Sequence, residues 1–242
     1  MFFHSPTSLF LFLPCVFILY PLIERKSYEL SSIFLLFFSL SFYGFNHPWF
    51  IIPLLFSAYI DFLISKNLIT KDLNNELRLF YLFISITVNL GLLIFFKYIP
   101  FIEETLSSLN LYYLLGITTR FEFILPAGIS FYTFQTLSYV FDIYKGKINT
   151  SPSLIDYLLY VCYFPQLVAG PILRPSDFFD NKSKPKIHSS KSNYINGFKR
   201  ICFGLFLKLC LADTLASYND IAFAGDYLSI STADAWTMAF GF

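Results

Sequence analysis

Long apolar segments, separated by short polar ones, run through most of this chain. A segment of this kind, placed in lipid, must satisfy its backbone hydrogen bonds internally, and the α-helix does so. Apolar residues make up 56% of the 242 and charged residues 14%, whereas a soluble domain is about a quarter charged. The pattern predicts an all-α, polytopic integral membrane helical bundle that forms part of a single membrane domain.

The apolar runs predict where the individual helices lie. A helix that crosses the hydrocarbon core needs about 20 residues, and the shorter runs need polar flanks or a locally thinner bilayer. The predicted runs are 9–23, 30–45, 49–64, 79–98, 124–144, 154–173, 201–212 and 235–242, the last of which is cut off.

The charge around the run 154–173 predicts an irregular helix. Short cytoplasmic loops collect Lys and Arg, yet Lys145 and Lys147 precede this run and the basic segment 174–200 follows it. A simple crossing does not place the same charge at both ends. Together with Pro165 inside the run, this charge pattern favours a broken or re-entrant helix.

The same charges predict the orientation of the chain. Counting spans back from the basic side places residues 65–78 inside and the N-terminus outside. We therefore expect a multi-pass protein of the inner (cytoplasmic) membrane, in contact with membrane lipid.

Polar side chains within the apolar runs are the candidates for chemistry, because ionisable groups at membrane depth are costly and face protein or water. Ser130, Phe134, Ser138 and Asp142 share one helical stripe. This stripe is either a packed interface that ends in a capped or paired Asp, or one wall of a polar tunnel. The candidate tunnel or structural polar residues are Ser130, Gln135, Ser138, Asp142, Gln166, Arg174, Lys208 and Asp213.

Other charged residues in apolar surroundings have simpler interpretations. We expect Asp61 to lie at the interface near a cytoplasmic helix end, with a buried hydrogen bond to another helix as the alternative. The spacing of Lys208 and Asp213 is i, i+5, which is unfavourable for an ion pair on an α-helix. Lys208 is therefore expected to snorkel, to pair with a different carboxylate, or to attract an anionic substrate. Lys97 is expected to snorkel to the outer interface.

Several classes of site are not predicted. His4, His47 and His188 lie at a terminus, in a turn and in a basic loop, and none of them sits on an apolar helix beside a carboxylate. The four cysteines form no C-x-x-C motif. We therefore expect no metal site, no bound cofactor, no nucleic-acid partner and no catalytic residue in this chain.

Three strings of residues carry a resemblance to a known family. They are FILPAGISFYTFQTLSYVFDIYKGKI and LIDYLLYVCYFPQLVAGPILRPSDFFDN, followed by GFKRICFGLFLKLCLADTLA. The chain resembles the membrane-bound O-acyltransferase (MBOAT) family, and within it the branch of alginate O-acetyltransferases and D-alanyl transfer proteins. The resemblance covers essentially the whole chain.

The resemblance implies an O-acyltransferase that passes an acetyl or other acyl group through a helical bundle. The donor would be a cytoplasmic thioester such as acetyl-CoA, and the acceptor a hydroxyl of an exported or cell-envelope polysaccharide. The family's branch also implies an extracytoplasmic partner protein that completes acetylation. The family's catalytic His follows a Trp downstream of the matched regions, so we expect this chain to be an N-terminal fragment that is inactive alone.

Two other functions remain open at this point. In a transporter or channel subunit, Asp142 and Lys208 would line an ion path, although the chain shows no internal repeat. In a purely structural membrane subunit, the polar residues would only hold helices together.

Overall fold

A computed structural model describes residues 5–70, 72–108, 124–167, 170, 173–183, 191–224 and 231–241, and these residues form helices and connecting turns without any strand. In chain order the helices are α1 Leu13–Glu24, α2 Tyr28–Tyr43, α3 Ile51–Thr70, α4 Asn75–Leu93, α5 Ile99–Ser108, α6 Ile129–Tyr144, α7 Leu154–Cys162, α8 Phe164–Leu167, α9 Pro175–Ser183, α10 Lys191–Phe206, α11 Asp213–Ala224 and α12 Thr232–Gly241. The all-α prediction is confirmed.

Local variants of the helix join some of these elements. A single 3₁₀ turn, Pro48–Phe50, leads into α3. Wider π-helical turns lie at Ser8–Phe12, Ile94–Tyr98 and Leu207–Ala212, and each continues directly into an α-helix. The chain divides into two compact units, Met1–Lys184 and Pro185–Phe242.

Two helical stretches in the described part of the chain are long and apolar enough to cross a membrane, namely Pro48–Thr70 and Asn75–Ile102. Ser8–Glu24 and Tyr28–Tyr43 are apolar but shorter. Both long stretches extend beyond the apolar runs 49–64 and 79–98 into polar residues. The helices are longer than their apolar runs, because hydropathy marks the lipid-facing part of a helix and not where its hydrogen bonds stop.

The polar segment predicted between residues 174 and 200 is largely helical where it is described. Helices α9 and α10 occupy Pro175–Ser183 and Lys191–Phe206, and most of the basic loop predicted around His188 lies outside the described residues. The apolar run 124–144 starts before its helix, because α6 begins only at Ile129. Gly128, with φ of 73°, precedes it in the left-handed region that glycine tolerates best.

Polar caps set several helix ends. Asn74 accepts a hydrogen bond from the backbone N–H of Leu77 at 2.9 Å and caps α4. Helix α6 ends in a Schellman motif around Gly146, whose φ is 71°. In this motif the N–H of Gly146 donates to the carbonyl of Ile143, and the N–H of Lys147 donates to that of Asp142, both at 2.9 Å.

The core of the first unit lies around α6. This helix packs against α3 and α4, and α7 packs against α2 and α3. Tyrosine rings fill the space between α6 and α7: Tyr139 lies 4.8 Å from Tyr157 and 6.2 Å from Tyr160, centroid to centroid. Phe179 of α9 packs on Tyr160 at 5.4 Å. The first unit is therefore organised around one central helix.

One end of this unit collects the connections α1–α2, α3–α4 and α6–α7. Arg78 donates to the carbonyl of Tyr144 at 2.9 Å and to that of Leu68 at 3.4 Å. These contacts join the α3–α4 connection to the end of α6. The counted topology, and which side of a membrane this end faces, stay predictions.

Candidate functional site

A buried carboxylate joins three helices in the middle of the first unit. Asp61 of α3 accepts a hydrogen bond from the hydroxyl of Ser85 at 2.6 Å and one from Nδ2 of Asn89 at 2.7 Å, both from α4. The hydroxyl of Thr136 on α6 donates to Oδ1 of Asn89 at 3.0 Å. All four side chains are 0% exposed. We call these four residues the Asp61 network.

The position of Asp61 contradicts the expectation that it lies at the interface near a helix end. Because α3 continues to Thr70, Asp61 lies well inside the helix and not at an interfacial end. The alternative, a buried hydrogen bond to another helix, is confirmed. The two ion pairs found in the described part of the chain involve other carboxylates, so hydrogen-bond donors, and not a cation, meet the carboxyl group of Asp61 there.

The sequence interpretation missed the partners of Asp61. Ser85 and Asn89 are four residues apart in an otherwise apolar run, so they lie on the same face of α4. This spacing was a readable signal, because two adjacent polar groups at membrane depth imply a polar partner on a neighbouring helix. Thr136 gave a weaker signal, since threonine can bond to its own helix, and it also donates to the carbonyl of Thr133 at 3.1 Å.

The predicted break in the run 154–173 is confirmed and falls at Tyr163. Its φ of −57° and ψ of 115° leave the helical region between α7 and α8. The N–H of Phe164, which would have continued α7, instead donates to the hydroxyl of Ser39 on α2 at 3.2 Å. Pro165 follows and has no N–H to donate.

Two glutamines satisfy the carbonyl that this break releases. Nε2 of Gln135 on α6 donates to the carbonyl oxygen of Tyr160 at 2.8 Å, and Nε2 of Gln166 on α8 donates to the same oxygen at 2.5 Å. Both glutamines are buried. Irregular backbone at membrane depth is tolerated only when protein groups or a cavity satisfy it, and these side chains do so. We call this arrangement the helix break.

Several buried polar atoms beside the helix break find no hydrogen-bond partner among the described residues. They are the hydroxyls of Tyr132, Tyr139 and Tyr157 and the side-chain carbonyl oxygen of Gln166. Each such group costs about 1–3 kcal/mol unless a partner meets it. Polar groups of this kind mark where a ligand could form hydrogen bonds.

The predicted stripe on α6 lies outside this core. Ser130, Ser138 and Asp142 are only partly buried, and Phe134 is 54% exposed. Ser138 donates to the carbonyl of Gln135 in its own helix at 2.8 Å. The residues that α6 buries are on the opposite face, including Tyr132, Thr136 and Tyr139.

Asp142 has the paired and capped environment that was one of its two interpretations. Its carboxylate lies 3.2 Å from Nζ of Lys147, which the Schellman turn brings back beside it. A tunnel wall along this stripe stays a prediction.

The interpretation of Lys208 and Asp213 requires a correction. Nζ of Lys208 lies 2.5 Å from a carboxylate oxygen of Asp213, in the second unit. The pair forms because Leu207–Ala212 is a π-helix, in which hydrogen bonds run from i to i+5 and residues five apart come together. The α-helical spacing rule therefore did not apply here.

The remaining predicted residues have simple environments. Arg174 is exposed, as is Lys97, whose ammonium lies 5.9 Å from the ring centre of Tyr98. His47 packs its ring 4.9 Å from that of Phe50, whereas His4 and His188 lie outside the described residues. The described residues contain no cluster of three or more potential metal ligands.

An open pocket of about 500 Å³ lies at the end of the unit where α6 stops and α7 starts. Lys147 and Asp156 line it with opposite charges, and Phe179 packs at its wall and on Tyr160. Its other lining residues are Tyr28, Ile148, Asn149, Thr150, Ser151, Pro152 and Ser176.

Comparison with known proteins gives a consistent result. Residues 145–240 match the family model of MBOAT, the membrane-bound O-acyltransferase family. The whole chain is 31% identical to the probable alginate O-acetylase AlgI of Pseudomonas aeruginosa, of which it covers 45%. It is 30% identical to the protein of the same name from Azotobacter vinelandii, covering 47% of that protein. No solved structure matches the chain.

A relative with a different named activity extends this result. Over 97% of its length the chain is 28% identical to the peptidoglycan O-acetyltransferase of Helicobacter pylori, covering 48% of that protein. The chain thus spans about half the length of these curated relatives. The chain is therefore similar to the membrane-bound O-acyltransferase family over residues 145–240, and to O-acetylases along essentially its whole length.

Proposed function

We propose that this chain forms part of an O-acyltransferase that moves an acetyl group from a cytoplasmic thioester, such as acetyl-CoA, to a hydroxyl of an exported or cell-envelope polysaccharide. The observation that carries the proposal is the similarity along the whole chain to alginate O-acetylases. The similarity to a peptidoglycan O-acetyltransferase supports the broader class of polysaccharide acceptors.

The helix break supports a role in forming a conduit. Helix α7 has nine residues, so at 1.5 Å per residue it rises about 13 Å from its start to the break. This distance is close to half of a hydrocarbon core about 30 Å thick. Buried polar groups at that depth are suited to a path by which a donor reaches an acceptor across the membrane.

The proposed reaction needs a base as well as a conduit. The acceptor oxygen bonds to the acyl carbon, the C–S bond breaks, and the hydroxyl proton passes through the base to the leaving thiolate. His47, the histidine among the described residues, lies in a turn against Phe50. We therefore assign the base to the portion of the relatives that has no counterpart in this chain and assign scaffold roles to the residues described above.

The setting of the enzyme follows from the same proposal. The end of the first unit that carries Lys145, Lys147 and the 500 Å³ pocket would face the cytoplasm, and the N-terminus would lie outside. The protein would reside in the inner membrane, and an extracytoplasmic partner protein would complete acetylation.

Complementation tests the proposal directly. The intact gene product is expressed in an alginate-producing bacterium whose own O-acetylase has been deleted, and acetyl esters on the secreted polymer are measured by NMR. We expect esters with the intact gene product and none with the 242-residue chain alone. Because peptidoglycan is the other acceptor class, its acetylation is measured in parallel, and the absence of ester on both polymers would contradict the proposal.

A further inference from the structure

Gln166 has one half of its side-chain amide satisfied and the other half unmet. Its Nε2 donates to the carbonyl of Tyr160, while its Oε1 is buried and meets no hydrogen-bond donor in the described ranges. The residue is 6% exposed, so bulk solvent does not meet this oxygen. An acceptor in this state favours the binding of a group that carries an N–H or an O–H.

The capping role of Gln166 does not by itself explain why an amide is needed there. Gln135 already donates to the same carbonyl of Tyr160 at 2.8 Å. The break would keep one donor on that carbonyl if Gln166 were apolar. The second amide therefore adds an acceptor, Oε1, at a point where the backbone requires only a donor.

The surroundings of Gln166 limit what the ligand can be. Phe164 and Leu167, within two residues of it along the chain, are apolar and buried, and Cys162 just before the break is 0% exposed. Pro165, which directly precedes Gln166, is exposed. The hydroxyl of Tyr132, on the same face of α6 as Gln135, is a further buried polar atom lacking a partner within the described residues. A sugar would leave several hydroxyls unpaired here, whereas a slender chain with few polar groups would not.

We propose that Oε1 of Gln166 accepts a hydrogen bond from an amide N–H in the arm that carries the donor's thioester. The inference rests on the proposed acyl transfer and adds how the donor arm is recognised. The estimated depth of the break fits an arm that reaches in from the pocket end of the unit, where Phe179 packs between the pocket and Tyr160. Gln166 acts on binding and takes no part in proton transfer.

A pair of small acetyl donors isolates this hydrogen bond. S-acetyl-N-acetylcysteamine carries one amide N–H, and its ester analogue, S-acetyl-2-mercaptoethyl acetate, replaces that N–H by oxygen. The intact gene product in detergent is assayed with both donors and an alginate oligosaccharide. One neutral hydrogen bond contributes a factor of about 3–10 in kcat/KM, so we expect the amide donor to be preferred by that factor.

Two variants test whether Gln166 causes the preference for the amide donor over the ester donor. Gln166→Met keeps the length of the side chain and removes both polar atoms, and we expect it to lower the amide-to-ester ratio to about 1. Gln135→Met is the matched control, because it removes the other cap on Tyr160 and leaves Gln166 intact. The control should retain the preference even if its overall rate falls.

The possible outcomes separate this inference from the proposed function. An unchanged ratio in Gln166→Met, or an equal loss in Gln135→Met, overturns the inference while acyl transfer stands. A raised KM for the oligosaccharide with an unchanged ratio assigns the oxygen to the acceptor and also overturns it. If neither donor is turned over by the protein in detergent, the same comparison is made by binding of the two donors in a thermal-shift assay, where equal affinities refute the hydrogen bond. The proposed function is then judged separately, by the complementation experiment.

Discussion

Replacing Asn89 by Leu should destabilise the first unit through the charge that it leaves behind. Asn89→Leu removes the donor at 2.7 Å from Asp61 and leaves Ser85 as the one donor to that carboxylate in the network. Thr136 loses its acceptor but keeps the carbonyl of Thr133. The main cost is therefore the desolvated carboxylate.

The expected loss of stability follows from assigning the main cost to the desolvated carboxylate. An ordinary hydrogen bond between membrane helices contributes about 0.6 kcal/mol, whereas a buried charge deprived of its partner costs about 3 kcal/mol or more. We expect about 3 kcal/mol for Asn89→Leu. For a unit of this size that corresponds to a fall in Tm of about 6–12 °C.

A double-mutant cycle distinguishes the two causes. Asp61→Asn removes the charge, and its new amide can donate to Ser85 while its oxygen accepts from Asn89, so the single change should cost under about 1 kcal/mol. In this background Asn89→Leu should cost at least about 1 kcal/mol less than it does alone. Thermal unfolding of the purified chain in detergent measures all four proteins.

The control is Asn75→Leu, which makes the same substitution at an exposed position in the first turn of α4. It should change stability by less than about 0.5 kcal/mol. Additive costs in the cycle, or a cost for Asn89→Leu near 0.6 kcal/mol, would show that the buried charge of Asp61 does not govern the energy of this network.

Three further substitutions test other parts of the structure. Gly170→Ala would place a Cβ 2.3 Å from Cα of Gln166 and 2.7 Å from a backbone oxygen. Because the backbone must then move, we expect the free energy of unfolding, measured by thermal unfolding, to fall by about 2–4 kcal/mol. An unchanged Tm would contradict this close approach. Ser39→Ala removes the acceptor for the first N–H after the break and should cost about 1–2 kcal/mol, whereas a cost below 0.5 kcal/mol, on the order of a surface change, would show that another group satisfies it. Lys208→Met breaks a pair whose partner, Asp213, is 42% exposed, so Tm should change by less than about 3 °C; a larger fall would indicate that the pair is shielded from water in the intact protein.

The helix break shows how far charge and composition can predict a fold of this kind. Equal charge at both ends of the run 154–173, together with Pro165, predicted an interruption. The exact position, Tyr163, depended on Ser39, which lies more than 100 residues earlier in the chain and accepts the N–H of Phe164. Contacts over such a separation leave no local signal in a single sequence.

Asp61 failed as a prediction for a different reason. The apolar run ended at residue 64, so the carboxylate looked close to a helix end, but the helix continued to Thr70 through polar residues. The hydropathy of the run showed which part of α3 suits lipid, and it did not show how far the helical hydrogen bonds continue. The spacing of Ser85 and Asn89 would have identified the buried partner face.

The π-helix at Leu207–Ala212 could not be predicted from the hydrophobic and charge pattern of the sequence. No Pro or Gly lies within it, and the extra residue in the turn is what joins Lys208 to Asp213. A rule calibrated on 3.6 residues per turn gives the wrong neighbours wherever a turn widens.

The helix break also bears on the order in which the protein is made. Ser39 and Gln135 both precede Tyr160 in the chain, so the ribosome has synthesised them before the segment that they hold. When the interrupted helix reaches the bilayer, the earlier helices can present their hydroxyl and amide to it at once. The backbone groups at the break then have hydrogen-bond partners as soon as they enter the lipid.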